Sequence, residues 1–164
     1  MRQLLAPLAA TLASLLLACG GGGKDSPRVV AEAVIAAMAA HDGGGVGALM
    51  PSASALGAAI DCTGAEQDLV EQLERAKAKN AKRMARDAEK MAGVTLALKD
   101  FDLEGSSDKE LAVGDPFEGC KVVKPFTVHR SKLTVTMTKD GATKDDRDSW
   151  TFIRLDGAWY FAKL

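Results

Sequence analysis

Asp100-x-Asp102-x-Glu104-Gly105 is the stretch most like a site. Carboxylates at alternate positions followed by a glycine are what a calcium loop uses in its first half, and Asp108 falls where such loops often coordinate through water. The second half departs from that pattern. The closing position holds Leu111 instead of a bidentate glutamate, and Glu110 stands one residue early, so a hairpin rich in turn residues accounts for the same letters. Cys62, Cys120, His41 and His129 are ligand types for a softer metal, but no C-x-x-C or H-x₃-H spacing joins them. Gly43-Gly44-Gly45-Val46-Gly47-Ala48 fits G-x-G-x-x-A, yet it follows a helical pattern and not a strand, so the backbone that cradles a pyrophosphate is missing. No G-x-S-x-G, H-E-x-x-H or P-loop occurs. The expectation is a protein with no metal, no cofactor and no catalytic motif. Its 21 Lys and Arg against 22 Asp and Glu give no bulk field for nucleic acid.

The N-terminus says where the chain resides. Arg2 leads into an apolar run, Leu4 to Ala18, that is shorter than the roughly 20 residues of a membrane span and is interrupted by Pro7. It reads as a secretory signal. Leu16-Leu17-Ala18-Cys19 resembles the lipobox of bacterial lipoproteins, with leucine three residues before the cysteine and a small residue just before it. The resemblance implies cleavage after residue 18, acylation of Cys19 on its thiol and then its amine, and attachment to the membrane through those chains. One acyl chain holds only marginally, and two or three make the attachment stable. Gly20, where aspartate would oppose it, implies sorting to the outer membrane, facing the periplasm. Residues 19–26 then form an acylated, glycine-rich tether and 27–164 a single domain. With Cys19 assigned to lipid, Cys62 and Cys120 remain, in a compartment that permits disulfides, and they are expected to pair.

The elements follow from caps and periods. Ser26-Pro27 is a helix start, and Val30, Val34, Ala37, Met38 and His41 recur at helical spacing, predicting a helix over about 27–41. Val46 to Ile60 reads as one or two short helical turns broken by Pro51 and Gly57. Thr63-Gly64-Ala65-Glu66 has capping-box form and opens a long helix over 64–92. Leu69, Leu73, Ala76, Met84, Ala88 and Met91 share its apolar face, while Arg75, Lys79, Lys82, Arg83, Arg86 and Lys90 form a basic stripe opposite. After Gly93 the period becomes two. Strands are predicted at 94–98 with a bulge near Asp100, at Val123–Arg130, at Leu133–Lys139, and at Trp150–Leu155 and Trp159–Leu164 around the hairpin signal Asp156-Gly157. Helices first and antiparallel strands after indicate α+β, with the long amphipathic helix against the sheet.

The closing stretch, W-x-F-I-R-L-D-G-A-W-Y-F at Trp150 to Phe161, together with the helix-then-meander order, resembles the cystatin-like and nuclear transport factor 2-like superfamily. That implies helices set into the concave side of a curved sheet, a cone that takes an apolar ligand or packs on a partner. Members resembling ketosteroid isomerase or polyketide cyclases hold an acid or histidine in that cone, where burial makes a carboxyl useful for proton transfer. The candidates here are His41, Asp42, Asp100, Asp102, His129 and Tyr160, none in a motif that matches residue by residue. His41 is explained by the dipole at a helix C-terminus, and His129, at a strand end, reads as solvated. Three functions are thus open: a lipid-anchored, non-catalytic binding or scaffolding module; an isomerase- or cyclase-like enzyme; and an envelope lipoprotein whose basic stripe contacts anionic lipid. The stripe has no interleaved aromatics, which argues against nucleic acid.

Overall fold

The computed structural model describes residues 24–162 apart from Gln67. The lipobox with Cys19, the glycines of the tether and positions 163–164 of the predicted last strand lie outside the described residues. Helix α1 spans Pro27–Ala39, its Ser26 hydroxyl accepting from Val29 N at 3.3 Å and Pro27 in the first turn, where its missing N–H is harmless. Val30, Val34 and Ile35 are its buried stripe. Two short helices follow on either side of Pro51: α2, Gly43–Ala48, and α3, Ala53–Gly57. The Asp42 carboxylate caps α2 by accepting from Gly45 N at 2.8 Å, and the Ser52 hydroxyl caps α3.

The long helix α4 spans Leu69–Asp87, a shorter element than the one predicted over 64–92. The capping-box letters form a turn instead. Thr63 N donates to the Asp61 carboxylate, and Gly64 sits at φ +81°, a left-handed geometry that a right-handed helix does not contain. Asp68 is the real cap, accepting from Val70 N and Glu71 N. Beyond Asp87 the chain turns through residues 88–93 and leaves at Gly93.

α4 docks on α2 and α3, while α1 packs directly on the sheet. Where α2 crosses α4, a Cβ on Gly43 would stand 2.5 Å from Ala81 Cα, closer than real carbons approach. Gly43→Ala is therefore expected to lower stability by about 2 kcal/mol, the usual cost of overpacking where backbone must shift. Urea unfolding checks this, and an unchanged midpoint would mean that the two helices do not touch there in solution.

The strands, in chain order, are β1 Ile60–Asp61, β2 Thr95–Asp100, β3 Ser107–Leu111, β4 Pro116–Phe117, β5 Cys120–Val122, β6 Phe126–Lys139, β7 Ala142–Leu155 and β8 Ala158–Phe161. The fold is α+β: helices packed on a strongly curled antiparallel sheet that forms a half-barrel. Its order is β2-β6-β7-β8, with β3 pairing the N-terminal half of β6; β1-β5-β4 make a small second sheet. The register shift between Leu98 and Asp100 and the hairpin at Asp156-Gly157 fall where the sequence placed them. The two strands predicted over 123–139 are one, because β7 holds β6 in unbroken register from Thr127 to Lys139, straight through Ser131 and Lys132.

Side chains of β6, β7 and β8 alternate between two covered faces. Leu133, Trp150, Phe152 and Phe161 are buried on the face toward α1, whereas Phe126, Val128, Ile153 and Leu155 are buried on the other. There Phe117 of the small sheet meets Phe126 edge-on, with ring centres 5.1 Å apart. Cys62 and Cys120 are bonded, as expected from the cysteine count, and tie the turn before α4 to β5.

Candidate functional site

Between α1, α4 and the sheet the packing leaves a cavity of about 250 Å³. Its walls come from Val34 and Met38 on α1, Met84 on α4, Met91 in the turn after it, and Leu96, Trp150 and Phe161 on the sheet. Three methionines around it make it deformable, since an unbranched thioether chain adopts many shapes at little cost. His41, Asn80, Arg83, Asp87 and Asp148 supply its polar edge.

The two acids on that edge are already engaged. Asp148 accepts from Ser149 N at 2.8 Å and from the Trp150 indole N–H at 3.0 Å. Asp87 takes two hydrogen bonds from the Arg86 guanidinium, which hold its carboxyl below the usual carboxylate range and the guanidinium above its own. Asp87 is therefore held ionised, and both carboxylates already serve as acceptors. Tyr160 pairs with Ile153 on the opposite face of the sheet and cannot assist them.

His129 is not at a strand end and not solvated. It lies within β6, 7% exposed, because β3 and β7 flank it on both sides. Its Nδ1 meets Asp108 Oδ1 and its Nε2 meets Asp102 Oδ1, each at 2.8 Å. Asp108 is the residue directly opposite on β3. Asp102 is brought in by a left-handed turn, φ 57°, whose N–H donates to the buried Ser131 hydroxyl. Phe101 stacks on the imidazole, with Phe152 and Trp159 against its other sides. Each ring nitrogen already has a carboxylate partner. No ring nitrogen is left for a substrate, and the arrangement is a clamp, not a general base.

Asp102 and Asp108, read above as half a calcium loop, thus spend an oxygen each on His129, and among the described residues no group of three acidic, histidine or cysteine side chains is placed to hold a metal. Asp100 ends β2 opposite Thr134, and Asp42 is the α2 cap. His41 follows α1 at φ 55° and borders the cavity.

The basic stripe divides. Lys79 and Lys82 are exposed, Arg75 and Arg86 are exposed but paired with Glu71 and Asp87, Arg83 turns to the cavity edge, and Lys90 lies past the helix. The split follows from the early end of α4: Lys90 is in a turn, so the 100° spacing no longer places it. The sequence pointed to Met84 and Met91 only as an apolar stripe; that part of the stripe stays open instead of being filled is a result of helix placement. No known family model matches this chain, and none of the curated proteins or solved structures matches it either. No helix among the described residues is long and apolar enough to cross a membrane.

Proposed function

We propose that the protein is a lipid-anchored cell-envelope module whose helix–sheet cavity holds an apolar ligand without catalysis. The observation that carries this reading is the methionine-lined cavity under α4, closed by Trp150 and Phe161 and edged by polar groups that orient a ligand. Proton-transfer chemistry finds less support: the acids at the cavity are already engaged as acceptors, and both nitrogens of His129 have carboxylate partners. The anchor rests on Leu16-Leu17-Ala18-Cys19, and the localisation, outer membrane facing the periplasm, on the same residues with Gly20. Membership of the nuclear transport factor 2-like superfamily is proposed on the Trp150–Phe161 pattern, which the half-barrel with helices over it suits. Contact of the basic helix face with anionic lipid is the weaker reading, since Arg75 and Arg86 are already paired.

Native mass spectrometry of the full chain released from zwitterionic nanodiscs tests both halves. The expected spectrum shows acyl chains on the mature N-terminus, absent from Cys19→Ser, and a further mass retained in the cavity. Met84→Trp, which fills the space with an indole, is expected to lower the retained fraction about tenfold, the loss of roughly 1.4 kcal/mol of binding. A wild-type chain that never carries the further mass would overturn the binding reading.

A further inference from the structure

Met91 borders more than the cavity. The same side chain forms one wall of a second, shallower space of about 380 Å³, whose other apolar walls are Val94, Met137 and Ala142. Leu96 of the cavity and Met137 of the cup are direct partners across β2 and β6, and Met137 faces Lys144 across β6 and β7. The two spaces therefore lie along one face of the sheet. Trp150 at one end and Lys144 at the other are six residues apart on β7, about 20 Å at the rise of a strand.

The ends differ in charge. The rim of the cup holds Lys90, Lys139 and Lys144 and no acid. None of the three forms an ion pair within 4 Å among the described residues. Lys139 Nζ donates to the Lys90 carbonyl at 3.3 Å, which keeps its ammonium beside that turn. The inner end also holds a cation, Arg83, but there it stands with two acids, Asp87, on which it acts electrostatically, and Asp148, so the charge is mixed and not uniformly basic. Asp146, between Lys144 and Asp148 on the same face, lines neither space. An occupant with one apolar end and one anionic end meets opposing acids at the inner end and only cations at the rim.

We infer that the ligand is a long-chain carboxylate, its chain in the methionine cavity and its head group among Lys90, Lys139 and Lys144. The inference rests on the binding reading above and adds the ligand's class and polarity to it. An apolar chain alone leaves three ammonium groups around an apolar cup without counter-charge, and a carboxylate supplies it through charge-assisted hydrogen bonds.

The test uses the full chain in zwitterionic nanodiscs with a photoreactive long-chain fatty acid, the matching primary alcohol as uncharged control, and crosslinked peptides located by mass spectrometry. The acid is expected to label peptides containing Met84, Met91 and Trp150. The triple variant Lys90→Gln/Lys139→Gln/Lys144→Gln is expected to lower that labelling about tenfold, since hydrogen bonds to charged groups carry this much. Alcohol labelling of the same peptides should be equal in the two proteins, which also reports that the variant is folded. Equal labelling of wild type and variant by the acid would overturn the head-group assignment while leaving the cavity reading standing. No labelling of these peptides by either probe would overturn both. Loss of binding to phosphatidylglycerol vesicles in the variant, with acid labelling unchanged, would assign the lysines to a membrane surface and end the proposal.

Discussion

Replacing both Cys62 and Cys120 by alanine is expected to lower the stability of the domain by about 4 kcal/mol, the chain-entropy value for a closed loop of this size. The two lie 58 residues apart in sequence. The ladder Ile60↔Val122 and Asp61↔Lys121 continues directly to Cys62 opposite Cys120, so the bond staples the end of a pairing only two residues long. Such a short pairing has little to hold it by hydrogen bonds alone. It carries the turn at 63–66, the Asp68 cap and hence the start of α4. Urea unfolding of the double variant beside the oxidised wild type checks the magnitude, and thiol titration of the unfolded, unreduced protein should find neither thiol free. A loss below about 1 kcal/mol would mean that the small sheet stands by its own packing.

The second large effect is expected at His129. Truncation to alanine removes a ring packed against Phe101, Phe152 and Trp159 and leaves Asp102 and Asp108 without the partner they share. A loss of about 3 kcal/mol is expected, in the range of large-to-small changes in a core. The carboxylates are 49% and 71% exposed, so water screens their share, and Asp102→Asn or Asp108→Asn alone should cost less than about 1 kcal/mol. Equilibrium unfolding of the three variants separates packing from charge. A His129→Ala loss no larger than that of the aspartate variants would show that the ring is not buried in solution.

These two sites mark how far the residues could be read in order along the chain. The Ser26-Pro27 start, the two short helices around Pro51, the bulge before Asp100 and the Asp156-Gly157 hairpin are each set by interactions within a few residues, and each was legible. The charged start of β7, Lys144 to Ser149, was not, because it is exposed on both faces and shows no apolar alternation. β3 was hidden for the same reason: it is charged at Asp108, Lys109 and Glu110 and is a strand only because β6 offers it an edge.

The α+β order, the apolar faces of α1 and α4, the Asp156-Gly157 hairpin and the pair of cysteines left for a disulfide were all readable from the chain alone. Those depend on local caps, on period and on counting. It took the assembled fold to show that His129 is clamped between two aspartates that looked like calcium ligands, that Thr63 to Glu66 is a turn and not a cap, and that Met84 of α4 and Met91 after it border open space with lysines at its outer rim. Those depend on where distant segments meet: a side chain's partner 21 or 27 residues away is set by strand register and helix crossing, which no stretch of the chain contains.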